Sequence, residues 1–128
     1  SCVQVPTVKN ELHKNNNIFP GSVRLVDGYF GDKKSNYIQK MCTLHALNLD
    51  ANIKIVAANN VRLLKSDKVT IIYNLNIFDN NIEKLYLFLD LVRHTESALL
   101  IISVDNYGEA ITKYSKLPSY ITSYVKIK

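Results

Sequence analysis

The stretch Ala98-Leu-Leu-Ile-Ile-Ser-Val-Asp-Asn-Tyr-Gly-Glu-Ala-Ile111 decides the fold of this chain. Its first half, Ala98 to Ile102, is continuously apolar, which is typical of a strand covered on both faces. Its second half contains Asn106-x-x-Glu109, a capping-box pattern that predicts the start of a helix. Because a buried strand that runs directly into a helix is the repeating unit of α/β domains, the stretch predicts the α/β class.

The elements on either side follow from the same kinds of pattern. Apolar residues at every second position predict strands, and apolar residues three to four apart predict helices. The helix behind Asn106 is expected to reach Leu117 and to stop at Pro118, which cannot continue it. The remaining predictions are strands over 22–26, 53–55, 61–64, 69–73 and 124–128, helices over 35–47 and 80–94, and a cap at Asn80 with Glu83.

Length and composition predict one domain. The 128 residues suit a single domain, with an irregular N-terminal arm over 1–20, where Pro6, Pro20 and a polar stretch lie, and the domain itself over 21–128. The apolar run at Ala98 is far shorter than the roughly 20 residues that span a bilayer. Two cysteines are too few for a disulfide framework, so a reducing intracellular compartment is expected.

The net charge of +5 leaves a nucleic-acid partner open. Only three of the 16 basic residues are arginines, and base readout and bidentate phosphate binding depend mainly on arginine. A basic nucleic-acid-binding α/β domain is therefore kept as the alternative, although nucleic acid is the less favoured partner.

No pattern of catalytic residues is specific. Cys42-x-x-His45 has a metal-like spacing, but a zinc site needs three or four ligands and no second pair is present. With four glycines and no glycine-rich phosphate loop, neither a P-loop nor a dinucleotide fingerprint exists. A small α/β enzyme using Cys42 or Asp105 remains a rival hypothesis, and a polar cleft around those residues would be its sign.

The helix over 80–94 is unusually apolar. On a helical wheel its apolar residues cover about 260° of the circle, and such a helix is normally buried on nearly all sides. In a small two-layer domain the sheet can cover only part of that apolar arc, so the rest of the arc is in excess of what the core needs. Tyr86 and Leu89 lie on the excess part, so either they face a partner or the helix is fully buried or forms a dimer face.

The sequence resembles a known family at several of these places. Ala98 to Ile111 resembles the apical domain of group I (GroEL-type) chaperonins, where a strand L-L-I-I is followed by D-x-x-G-E-A-L. Val69 to Asn74 is similar to that family's F-I-L-L-x-D strand, Asn80 to Ile82 to its S-N-I-R-E-M-L helix, and Val26 to Tyr29 to its G-x-x-F-D-R-G-Y entry. Tyr29 to Lys34 also echoes the G-F-G-D-R-R segment, which in the family follows the last strand. The alignment with the entry is preferred because it preserves the chain order, whereas the other alignment implies a permuted chain.

The resemblance implies a polypeptide-binding domain, with a small mixed sheet and two roughly parallel helices on one face. In the family, two helices and a loop present apolar side chains to non-native proteins and then to the co-chaperonin. Carried over to this sequence, Ser115 and Lys116 stand where the family has apolar residues. The implied polypeptide-binding residues are Tyr29 and Phe30 from the loop, Tyr86 and Leu89 from the first helix, and Ile111, Ser115 and Lys116 from the second.

The resemblance also implies a setting for the domain. It implies a C-terminally truncated apical domain, without enzymatic activity or a cofactor of its own. The whole protein would bind ATP and magnesium elsewhere, form a ring of identical subunits, and work inside a plastid or mitochondrion, with no membrane partner.

Overall fold

Six strands form one sheet in the computed structural model, which describes residues 2–3, 22–49, 52–57, 62, 67–95 and 99–128. Two short 3₁₀ helices accompany the regular elements, at Leu75–Phe78 and Leu117–Ser119. The elements in chain order are β1 (Cys2–Val3), β2 (Ser22–Asp27), α1 (Asp32–Leu49), β3 (Ile53–Val56), β4 (Val69–Ile72), α2 (Ile82–Arg93), β5 (Leu99–Val104), α3 (Tyr107–Lys113) and β6 (Ser123–Ile127).

The strand order is β1-β6-β2-β5-β4-β3, and β2 to β6 are all parallel. The predicted α/β class is therefore confirmed. β1 is antiparallel to β6, with Cys2 opposite Ile127. Cys2 and Val3 therefore form a strand where an irregular arm was predicted. The rest of the predicted arm lies outside the described residues.

Helices cover both faces of the sheet, as continuously apolar strands require. On the two-helix face, α2 and α3 pack over Leu25, Leu100 and Ile102. On the opposite, one-helix face, α1 packs over Ile71 and Ile101 through its own residues Ile38 and Cys42. All six residues of β5 are buried as a result. Two helices on one face were expected. The structure has α2 and α3 on one face, and α1 forms an additional layer on the other.

The first or last residues of several elements differ from the predicted ones, because local hydrogen bonds set where the elements begin and end. The cap of α2 is Asn81 rather than Asn80, because the Asn81 side chain accepts a hydrogen bond from the backbone N–H of Lys84. α3 is capped by Asn106 as predicted, but it ends at Lys113, and the chain reaches Pro118 in a separate 3₁₀ turn. The predicted strand over 61–64 falls almost wholly outside the described residues. Within the described part of the chain, no helix has the length and apolarity needed to cross a membrane.

The topology marks one place on the sheet. β2 and β5 are neighbours, yet the chain leaves β2 for α1 on the one-helix face and leaves β5 for α3 on the two-helix face. In open parallel sheets, ligands bind outside the carboxyl ends of the strands where neighbouring connections separate in this way. The carboxyl ends of β2 and β5 are therefore where a site is expected.

Candidate functional site at the carboxyl edge of the sheet

Two consecutive aromatic residues project from the turn after β2. The side chains of Tyr29 and Phe30 are 83% and 68% exposed. The preceding residue, Gly28, has a φ of +153°, and a Cβ added there would lie 2.8 Å from the carbonyl oxygen of Ile127. Only glycine fits this turn without strain, and the turn directs the next two side chains, hereafter the aromatic pair, away from the sheet.

A buried lysine fastens this turn to the neighbouring strand. Lys34, in the first turn of α1, is 1% exposed, and its Nζ donates hydrogen bonds to the carbonyl oxygens of Gly28 and Val104, both at 2.6 Å. Asp105 Oδ1 lies 4.0 Å from the same nitrogen. Burial lowers the pKa of Lys34, although the carboxylates of Asp105 and Asp27 act in the opposite direction. The lysine thus joins the ends of β2 and β5.

A buried aspartate, Asp27, connects neighbouring elements on the two-helix face through hydrogen bonds. Asp27, the last residue of β2, accepts a hydrogen bond from the backbone N–H of Tyr107 at 3.0 Å and a second from the Tyr124 hydroxyl. Burial, followed by the bond to Asp27, raises the pKa of Tyr124, so the hydroxyl keeps its proton and remains a donor. β2, α3 and β6 are therefore joined at this carboxylate.

Two clefts flank the aromatic pair, and Asp105 and Asn106 line both. The first cleft, between the ends of β4 and β5, has a volume of about 460 Å³; the second, between the ends of β2 and β6, about 410 Å³. The lining of the first cleft includes Phe30, Tyr73, Asn74, Ser103, Glu109 and Lys113. That of the second includes Asp27, Tyr29, Tyr107, Gly108, Tyr124 and Lys126.

Of the two residues that the rival enzyme hypothesis named, Asp105 lines both clefts described above and Cys42 lines neither. The Asp105 side chain is 72% exposed, in a cleft that is also lined by Glu109 and three asparagines. Cys42 is buried under α1 on the one-helix face, and burial raises the pKa of its thiol to about 11. A thiol that stays protonated and out of reach of solvent does not act as a nucleophile.

The expectation that Tyr86 and Leu89 face a partner is wrong, because they are 7% and 0% exposed. Tyr120, beyond the second 3₁₀ helix, stacks on the Tyr86 ring at 6.0 Å, and Leu89 belongs to the core of the two-helix face. The exposed apolar residues of α2 are Leu87 and Leu91 instead, at 67% and 48%.

The other predicted binding residues lie apart from the aromatic pair. Ile111 is half-buried against the core of the two-helix face. Ser115 and Lys116 are exposed beyond the end of α3, and the Lys116 backbone N–H donates to the Tyr86 hydroxyl at 3.2 Å. None of the three lines either cleft. Of the seven predicted residues, the structure places Tyr29 and Phe30 together at the carboxyl edge.

Sequence reasoning missed Lys34 and Asp27 as organisers of the edge. Asp27-Gly28 was visible as a turn signal. A lysine in the first turn of a helix is itself unusual, because the macrodipole disfavours a cation there. The predicted helix began after Lys34, at residue 35, so this signal appeared only once the structure placed the start of α1 at Asp32.

In the parts of the chain that the structure describes, no group of three or more His, Cys, Asp or Glu side chains is arranged to hold a metal ion. Comparison of the chain with family models, with curated proteins and with solved structures finds no match.

Proposed function

We propose that this chain is a polypeptide-binding domain that captures non-native protein segments through the aromatic pair at the carboxyl edge of its sheet. The observation that carries the proposal is the exposure of two consecutive aromatic side chains, 83% for Tyr29 and 68% for Phe30. The resemblance to chaperonin apical domains supports it independently, because both residues were assigned to polypeptide binding from that resemblance.

The turn beneath the aromatic pair is held in place, which favours binding. Lys34 donates to carbonyl groups on both neighbouring strand ends, and the Gly28 N–H donates to the Val104 carbonyl oxygen at 3.1 Å. A rigid turn loses little conformational entropy when it binds a partner. The aromatic pair is thus presented to solvent on a preorganised support.

The expected affinity is modest and tolerant of sequence. Burying one aromatic side chain contributes about 1.5–3 kcal/mol, so two rings contribute roughly twice that before the costs of association are subtracted. Apolar burial is non-directional, which suits a domain that binds many unfolded segments. The basic nucleic-acid alternative would instead depend on charge.

The alignment that keeps the family's chain order is the one that carries Tyr29 and Phe30 over from the family's polypeptide-binding loop. In the structure both residues follow β2, a strand in the interior of the sheet, and lie in the turn before α1. The resemblance extends the proposal to a co-chaperonin as second partner, a ring of identical subunits, an ATP- and magnesium-binding domain elsewhere in the protein, and an organellar location.

Replacing the aromatic pair should abolish capture without unfolding the domain. We expect Tyr29→Ser with Phe30→Ser to weaken binding of a permanently unfolded, carboxymethylated model protein by at least about tenfold, because most of the apolar contact is removed. Fluorescence anisotropy of the labelled model protein measures the affinity. Surface substitutions usually change the free energy of unfolding by no more than about 0.5 kcal/mol, so the melting temperature should hardly change.

The matched control removes two exposed leucines from α2. Leu87→Ser with Leu91→Ser removes two exposed apolar side chains from another surface and should leave most of the binding intact. Unchanged affinity in the aromatic variant would contradict the proposal. Binding of a labelled oligonucleotide that falls steeply with added salt, together with no binding of the model protein, would favour the nucleic-acid alternative.

A further inference from the structure

The first cleft is lined by charged and polar side chains that apolar capture does not use. It lies beside Phe30, so a polypeptide held by the aromatic pair would pass its mouth. Its volume of about 460 Å³ is large enough for one long side chain and falls in the range of small-ligand pockets. The groups that line it therefore indicate which side chain it accepts.

One wall of the cleft is aromatic. The rings of Phe30 and Tyr73 meet edge to face, with centroids 6.4 Å apart and an interplanar angle of 75°. Such a wall packs against the methylene stem of a long side chain, and its ring faces attract cations.

The lining of the cleft also carries negative charge. The Glu109 carboxylate is exposed and makes no ion pair or hydrogen bond among the described residues. The Asp105 side chain is 72% exposed, and its Oδ1 lies 4.0 Å from the buried Lys34 Nζ, so that lysine balances part of its charge. Lys113 is the cationic residue in the described lining, and its Nζ lies 2.7 Å from Asp79 Oδ2. The bonds from Lys113 and Tyr114 lower the pKa of Asp79, so this pair is already satisfied and the remaining charge of the cleft is negative.

From this geometry we infer that the first cleft binds a lysine or arginine side chain of the captured polypeptide. The stem lies along Phe30 and Tyr73, and the cationic group reaches the carboxylates of Asp105 and Glu109. The inference rests on the proposed function and deepens it: the preferred segments carry a basic residue next to apolar ones. A phosphate-bearing ligand is disfavoured by the same negative charge.

Three labelled peptides test the inference. They share a sequence with two leucines and a phenylalanine around one variable position, which is Lys, Gln or Glu. We expect the wild-type chain to bind the Lys peptide about tenfold more tightly than the Gln peptide, and the Glu peptide more weakly still. The Lys preference should shrink as salt is added, because screening acts on the charge and not on the apolar contact.

Matched variants identify the carboxylates. Glu109→Gln keeps the side-chain length and the backbone N–H that bonds to Asn106, and should reduce the Lys preference to about threefold or less with unchanged affinity for the Gln peptide. Glu83→Gln alters an exposed carboxylate in the first turn of α2, outside the cleft, and should keep the preference.

Each outcome decides one of the two proposals. Equal binding of the Lys and Gln peptides by the wild-type chain, or an undiminished Lys preference in Glu109→Gln, overturns the inference and leaves polypeptide capture standing. Failure of the wild-type chain to bind any of the three peptides overturns the proposed function together with the inference.

Discussion

Ile101→Ala is expected to lower the free energy of unfolding by about 2–5 kcal/mol, the range for isoleucine truncation in a packed core. Ile101 is fully buried on the one-helix face. Ile101 is on β5, between β2 and β4, and is paired with Arg24 on β2 and with Ile71 on β4. Because strands and α1 surround the site, the cavity cannot close easily. Urea unfolding followed by far-UV circular dichroism measures the loss.

Ile55→Ala is the matched control for this substitution. Ile55 belongs to the same sheet but is 60% exposed on the edge strand β3, so the same truncation should cost less than about 1 kcal/mol. Equal unfolding midpoints for Ile101→Ala and the wild type would show that β5 is not the covered central strand.

Lys34→Met is expected to cost about 2–4 kcal/mol, although it replaces a buried charge with an apolar side chain of similar length. The change leaves the carbonyl oxygens of Gly28 and Val104 without the charged donor that now lies 2.6 Å from each. Hydrogen bonds to charged groups contribute about 1.5–3 kcal/mol each, and unsatisfied buried acceptors are costly. Part of that loss is offset because the charge no longer has to be buried.

Lys33→Met changes the neighbouring, exposed lysine and should leave the free energy of unfolding almost unaltered. Lys34→Met should in addition weaken polypeptide binding, because the aromatic pair loses its rigid support. A Lys34→Met protein as stable as Lys33→Met would mean that the lysine does not hold the two strand ends together.

The pH dependence of stability gives Lys34 a separate signature. Burial lowers its pKa in the folded chain, so between that lowered value and the ordinary lysine pKa the unfolded chain binds more protons. The contribution of Lys34 to the free energy of unfolding therefore rises with pH across that window. In that window the free energy of unfolding of the wild type should rise with pH relative to that of Lys34→Met. Comparing the two proteins separates the effect of Lys34 from the titration of tyrosines, which both proteins share.

The sequence was informative where local pattern and tertiary structure agree. The apolar run that ends in β5 predicted a strand covered on both faces, and all six residues of β5 are buried. Asn106 was predicted as a cap and caps α3, since its side chain accepts from the Glu109 N–H at 3.0 Å. Both signals lie within a few residues, so no distant contact could overrule them.

The errors arose where distant segments meet. A helical wheel of α2 could not reveal that Tyr120, 34 positions beyond Tyr86 along the chain, stacks on the Tyr86 ring. In the same way, burial of Lys34 depends on the Val104 carbonyl oxygen, 70 positions away in the sequence. A wheel describes which residues share a face of a helix, but the neighbours of that face are set by the topology of the sheet.

Amide chemical-shift mapping of the ¹⁵N-labelled chain with the unfolded model protein tests the central claim most directly. Capture at the carboxyl edge predicts that the largest shifts fall on Tyr29 to Gly31 and on the segments 73–76 and 105–109, which line the clefts, with smaller changes along α2. Shifts concentrated around Leu87 and Leu91, with the amides of the aromatic pair unmoved, would contradict the claim that the aromatic pair captures polypeptide.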